Sequence, residues 1–320
     1  MTVGPGLHPP FDRELVDAVP RIREAVDAPL HAGGIAAARR RSTSAEIDDE
    51  AIQSLGFDIK IVRGIGRDVG AAPRLLVCRP RGATDRTGFL YHIHGGGMVA
   101  GSWRSEELAF DLKRARRFGL AVVSVDYRLA PDHPYPAALD DCVAQLAWLE
   151  DEGAALGLDP GRIVLSGNSA GGGLAAWVAL RRKAEGRCAV TGAMLQCPML
   201  DERCDTPSAQ QMPEHGVWDT VSNRTGWTAL LGRTGGPVLT PARHADLSGL
   251  PPVFIDVGSA ESLRDEAVAF ASRIWKAGGE AELHVWSGAF HSFDQWVPDA
   301  TVSKAAEAAR LQWLGRVLVT

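Results

Sequence analysis

The chain has 320 residues, 45% hydrophobic and 23% charged, with a formal net charge of −5. That size and apolar content fit two small domains or one large α/β domain with an appendage, and the weak acidic balance without a basic face excludes a nucleic-acid partner. No apolar run reaches bilayer-spanning length, Met1-Thr-Val-Gly-Pro-Gly carries no signal-peptide pattern, and five cysteines without a C-x-x-C pair fit reduced thiols. A soluble cytoplasmic protein without stable membrane association is expected.

Residues up to Ser54 are rich in Ala, Arg and Asp, and Val16, Val19, Ile22 and Val26 recur at helical spacing, punctuated by Pro20 and Pro29. They predict a helical appendage (1–54), in which Arg39-Arg40-Arg41 reads as a solvated helix face. From Phe57 the period becomes two. Phe57 to Val62, Arg74 to Cys78, Gly88 to Ile93 and Ala121 to Val125 read as strands, each of the last two followed by a polar or glycine-rich loop. Helices and strands then alternate: Ala137 to Glu150 leads to Ile163-Val-Leu, and Leu174 to Ala184 leads to Ala189 to Leu195. After Pro252 to Val257, a helix from Glu266 to Ala277 leads to Ala281 to Trp286. This rhythm predicts a mostly parallel, doubly wound sheet. It breaks between Pro198 and about Leu250, which predicts an insertion (198–250) packing with the N-terminal helices as a lid between two parts of one core (55–197 and 251–320). The chain ends in a helix with Leu311, Leu314 and Leu318 on one face.

Two motifs carry chemistry. Gly167-Asn168-Ser169-Ala170-Gly171 is a G-x-S-x-G pentapeptide between an apolar strand and a helix, the pattern of a nucleophile elbow. Upstream, His94-Gly95-Gly96-Gly97 follows another strand, and its glycines let backbone N–H groups approach a developing oxyanion. By the elbow rule one oxyanion donor is the N–H of Ala170, the others coming from the glycine loop. His94 orders that loop rather than reacting. His92 and His94 share a strand face but lack a third ligand nearby, so no metal is expected, nor any cofactor. Gly171-Gly172-Gly173 lets the next helix pack tightly, with Leu174, Trp177 and Val178 buried.

A serine needs a base, and the base an acid, in the order Ser, acid, His. Among the downstream histidines, His215 and His244 fall in the insertion and His284 within a strand. His291 follows the last strand, at the edge where active sites of open α/β sheets gather, and is the candidate base. Glu261 is the first carboxylate past the preceding strand and the first candidate acid. Asp265 is the alternative, although Ser262-x-x-Asp265 also reads as a capping box opening the next helix; Asp256, inside the strand, reads as facing a helix layer.

With these residues the chain resembles the hormone-sensitive-lipase-like esterases, the α/β-hydrolases that carry His-Gly-Gly-Gly upstream of the nucleophile. Five ordered motifs carry the resemblance: Tyr91-His-Ile-His-Gly-Gly-Gly-Met, Asp126-Tyr-Arg-Leu-Ala-Pro-Asp-His-Pro-Tyr-Pro-Ala-Ala, the elbow, Leu263-Arg-Asp-Glu and Gly288-Ala-Phe-His-Ser-Phe. It implies an α/β-hydrolase fold, an eight-stranded, mostly parallel sheet with a helical cap. It also implies Ser169 as nucleophile, His291 as base, and Gly96, Gly97 and Ala170 as oxyanion donors with Gly95 adjoining. Two positions depart from the family pattern: Asn168 stands where Asp is frequent, and Glu261 stands where Asp is usual. The implied activity is hydrolysis of short- to medium-chain carboxylic esters through an acyl-enzyme. A lactone, carbamate or amide substrate stays open, and His291 argues against a non-catalytic receptor, because such members lose the histidine. Trp218 and Trp227 in the insertion serve either a pocket wall or the cap's own core, and the last strand offers an edge for a homodimer.

Overall fold

The structure, a computed structural model, describes residues 8–65, 73–187, 190–232 and 238–319. Its strands are β1 Phe57–Arg63, β2 Arg74–Pro80, β3 Thr87–Ile93, β4 Ala121–Val125, β5 Leu158–Asn168, β6 Val190–Gln196, β7 Val253–Gly258 and β8 Ala281–Trp286. They form one eight-stranded sheet in the order β1-β2-β4-β3-β5-β6-β7-β8. β2 runs antiparallel to both its neighbours, and every pairing from β4 to β8 is parallel. All the expected strands are found, with β5 starting earlier than its apolar core. Ala189, at the expected start of the sixth strand, lies outside the described residues, as do Cys188 and the segment from Met1 to Gly6.

The helices are α1 Ala18–Val26, α2 Ile35–Ser44, α3 Asp49–Ser54, α4 Glu106–Phe118, α5 Ala137–Glu152, α6 Ala170–Ala184, α7 Pro207–Gln211, α8 Thr220–Leu231, α9 Arg264–Lys276, α10 Phe293–Trp296 and α11 Thr301–Val317. Period two in the strands sorts the core into two layers. Leu75, Val77, Phe89 and Tyr91 face α5, α6 and α9 through Leu146, Leu174 and Phe270. Leu76, Cys78, Leu90 and Val122 face α4 and α11 through Leu108, Leu112, Trp313 and Leu314. Where a polar or glycine-rich loop is expected after the third strand, the chain also forms α4, with Leu108, Leu112 and Ala115 as its buried stripe and Gly119 closing it at φ +65. Between β6 and β7 the described residues contain no strand, only α7, α8 and a short 3-10 turn.

Two stripes differ from expectation. At the N-terminus Leu15 joins Val19 and Ile22 inside, and Val16 is exposed because α1 begins only at Ala18. In α11 the buried face is Ala306, Arg310, Trp313, Leu314 and Val317, with Leu311 at its margin. The shift follows from Arg310, a charged residue that the helix turns inward. Its guanidinium donates to Asp256 of β7 at 2.6 Å and to Asp294 of α10, and Trp286 Nε1 donates to the same Asp256 carboxylate at 3.0 Å. Asp256 therefore does face a helix layer. A second buried arginine, Arg114 of α4, joins Asp111 (2.9 Å) to Glu307 of α11 (3.0 Å), and Asp111 in turn holds His92 Nδ1 at 2.8 Å.

Removing one partner of such a network strands the others without a counter-charge. Arg310→Met should lose about 3–5 kcal/mol in urea unfolding at neutral pH. The deficit should shrink in acid, where Asp256 and Asp294 take up protons in the variant.

Candidate active site

β5 ends at Asn168, and the chain turns into α6 with no intervening loop. Ser169 at the turn adopts φ 55 and ψ −118, a strained backbone held by close packing around it. A Cβ on Gly171 would lie 1.9 Å from the carbonyl oxygen of Ile93, so α6 can start this close to the end of β3 only with glycine there. The tight packing expected of the glycine run is thus observed, with Leu174, Trp177 and Val178 buried.

The structure brings the three triad candidates together. Ser169 Oγ lies 2.9 Å from His291 Nε2, and His291 Nδ1 lies 3.2 Å from Glu261 Oε2. Ser169 leaves β5, Glu261 follows β7 and His291 follows β8, so all three stand at the C-terminal ends of parallel strands. Burial raises the Glu261 carboxyl above its ordinary value, against the opposing pull of His291. Burial alone would depress His291; the Glu261 carboxylate on its Nδ1 acts the other way, and the pKa stands above its ordinary value. Among the described residues, His284 pairs with Glu282, while His215 and His244 lie away from Ser169.

Asp265 is turned elsewhere. Its carboxylate accepts the Ser208 N–H at the start of α7 at 2.8 Å and Arg264 Nε at 2.7 Å. The expected capping box does not form, because α9 begins after Leu263 and Ser262 Oγ donates to the Trp218 carbonyl instead. Both side chains bind the insertion to this corner of the sheet.

The glycine loop narrows the oxyanion set. The Gly95 N–H donates to Glu107 Oε2 at 2.9 Å, so that amide is already engaged. Gly96 and Gly97 have φ +105 and +63, and among the described residues no acceptor takes their N–H groups or that of Ala170. His94 orders the loop as expected: Nδ1–H donates to the Gly95 carbonyl at 2.8 Å and the ring stacks on Tyr127 at 4.2 Å. Burial drives its pKa down to about 3, keeping it neutral. Glu107 was missed in the sequence because its helix was; the Leu108-Leu112-Ala115 spacing was the available signal. Among the described residues the one group of three metal-capable side chains is Cys197, Glu261 and His291, two of which are already hydrogen-bonded to each other; His92 and His94 belong to none.

Ser169 and His291 open onto a cavity of about 490 Å³, a size suited to a small organic ligand. Its wall comes from Val26, Leu30 and Arg41 of the N-terminal segment, Val217, Trp218 and Ser222 of the insertion, and the glycine loop with Glu107. The two segments meet directly: Arg23 bonds Asp219 at 3.2 Å, and the Leu30 N–H donates to Ser222 Oγ at 2.8 Å. The two tryptophans divide. Trp218 lines the cavity 6.2 Å from the His291 ring, whereas Trp227 is buried against Trp177.

A family profile described as an alpha/beta hydrolase fold matches residues 90–295, which contain the elbow, the glycine loop, Glu261 and His291. The chain belongs to this family. Over 93% of its length it is 32% identical to carboxylesterase NlhH of Mycobacterium tuberculosis, covering 92% of that protein. Among solved structures, a bacterial heroin esterase superposes with a TM-score of 0.84 at 30% identity, covering 96% of this chain and 98% of that one. The esterase LipW from Mycobacterium marinum superposes at 0.83 and 30% identity, covering 97% and 98%. The protein is a hormone-sensitive-lipase-like member of the fold and, by homology, a carboxylic ester hydrolase. Among the described residues no helix is long and apolar enough to cross a membrane.

Asp265→Ala should cost about 1–2 kcal/mol of stability by freeing the α7 terminus, with ester turnover kept. Thermal unfolding beside an esterase assay checks both halves.

Proposed function

We propose that Ser169, His291 and Glu261 are the nucleophile, base and acid of a two-step acyl transfer, and that Gly96, Gly97 and Ala170 donate to its oxyanion. The supporting observation is the unbroken line from Ser169 Oγ through both nitrogens of His291 to Glu261 at the cavity floor. In the first step Ser169 Oγ bonds to the ester carbonyl carbon and its proton passes to His291 Nε2. Glu261 steadies the imidazolium, and the three N–H groups hold the negative oxygen. His291 then gives the proton to the departing alcohol, leaving an acyl-serine. A water that loses its proton to His291 attacks this ester and frees the acid.

The cavity of about 490 Å³ with Trp218 beside His291 supports short- to medium-chain esters as substrates. Its shared wall supports a cap built from residues 1–54 and 198–250, with the hydrolase core in 55–197 and 251–320. The four described cysteines, all free and buried, support a reducing cytoplasmic setting, and the outer edge of β8 is the proposed homodimer surface.

Ser169→Ala should abolish turnover of p-nitrophenyl esters and block labelling by a phosphonate. Glu261→Gln should stay folded and lose orders of magnitude in kcat with little change in KM, while Glu261→Asp keeps part of the activity. A dead Asp265→Ala beside a healthy Glu261→Gln would transfer the acid role. For pH, only neutral His291 accepts the serine proton, so kcat/KM should fall as pH drops through its raised pKa, with the acid limb above 6.5. Removing the Glu261 charge lowers that pKa, so the residual activity of Glu261→Gln should show the limb displaced to lower pH.

A further inference from the structure

Three buried side chains outside the triad meet beside it: Asn168 just before Ser169, Cys197 just after β6, and Ser292 just after His291, with Asn168 and Ser292 also at the cavity lining. Ser292 Oγ donates to Asn168 Oδ1 at 3.0 Å, Asn168 Nδ2 donates to Cys197 Sγ at 3.5 Å, and Cys197 Sγ lies 3.7 Å from Ser292 Oγ. Counting protons closes a ring. Ser292 spends its one hydroxyl proton on Asn168, so the proton between sulfur and hydroxyl is the thiol's. Burial pushes the Cys197 pKa up, which keeps that proton in place.

Two members of the ring hold backbone conformations that side chains disfavour. Ser292 has φ 57 and Cys197 has φ 35, where glycine is the easy choice. Non-glycine residues in that region persist when their surroundings hold them there, and what these two supply is a hydroxyl and a thiol. The ring joins the loop of His291 to the elbow of Ser169 across 124 residues of sequence. The direct bond between His291 and Ser169 changes at every proton transfer; the bond between Ser292 and Asn168 has no such duty. Cys197 Sγ also lies within 4.8 Å of a His291 nitrogen, so the ring sits beside the base.

We infer that Asn168, Cys197 and Ser292 form a positioning ring that sets the nucleophile-to-base geometry while exchanging no proton with substrate. The inference rests on the assignment of Ser169 and His291 as nucleophile and base. Its test uses the full chain with p-nitrophenyl acetate as substrate, comparing Ser292→Gly, Ser292→Ala, Asn168→Ala and the Asn168→Ala/Ser292→Ala double variant. Glycine relieves the backbone at position 292 but leaves Asn168 Oδ1 without its donor, so Ser292→Gly should stay folded with a melting temperature within a few degrees of Ser292→Ala or above it. Its kcat should nonetheless fall on the order of tenfold or more, with KM within about threefold. The double variant should be no slower than the slower single one, since either change already opens the ring. A Ser292→Gly enzyme with kcat within about threefold of the parent overturns the proposal, as does a double variant slowed by the product of the two singles. Ser169→Ala run alongside separates the two ideas. Activity surviving there removes the nucleophile assignment and the ring's role with it, whereas a dead Ser169→Ala beside a parental Ser292→Gly overturns the ring alone.

Discussion

The start of α6 is pressed against the end of β3, with the Ile93 carbonyl occupying the space that any side chain at position 171 would need. This contact forces a turn without a loop, and the turn in turn forces Ser169 into its left-handed backbone. The hydroxyl is thereby aimed off the sheet edge and the first N–H groups of α6 stand free beside it. The glycine loop after β3 is the other side of the same contact, since β3 and β5 are neighbours in the sheet. The sheet-edge position of Ser169 and the unengaged N–H groups are therefore products of one packing arrangement. Helix-terminal N–H groups near a developing anion are favourable for the reason that anions bind there generally.

Behind the sheet edge the structure spends charge on rigidity. Arg310 fixes β7 to α10 and α11 through Asp256 and Asp294, and Glu261 and His291 stand at the ends of the strands so fixed. Arg114 does the same for α4, the helix that carries Glu107 to the Gly95 amide. Buried ions of this kind give little net stability over apolar residues of similar volume, but they penalise any arrangement that separates them. Geometry at the site gains from that penalty. The N-terminal segment adds an apolar counterpart: Leu15, Val19 and Ile22 pack with Phe290 and Phe293, the residues around His291.

The cavity lining mixes apolar and polar side chains. Val26, Leu30 and Val217 offer contact area without hydrogen-bonding demands, whereas Ser169, His291, Glu107, Arg41, Ser222 and Gln295 supply polar groups. Such a mixed lining suits a small organic ligand with an apolar skeleton and a few polar groups.

The strands, their succession along the chain and the two motifs were legible in the sequence, because period two and the demand for glycine at close approaches are local constraints. So was the placement of His291, which follows from its position after the last strand. The sequence left Glu261 and Asp265 as alternatives, since four residues apart either can reach back to a histidine; the insertion decided between their directions by engaging Asp265 at the α7 terminus. Trp218 and Trp227 were equivalent in composition and were divided only by how α8 packs. Helix α4 was missed, and Glu107 with it, although its apolar spacing was present. Arg310 and the ring of Asn168, Cys197 and Ser292 carried no sequence signal at all. Their partners lie 16 to 124 residues away, except where a helix turn brings Glu307 near Arg310, and contacts across such separations exist only once the sheet has set its register. Local chemistry marked the candidate side chains; long-range packing decided which neighbours hold them in place.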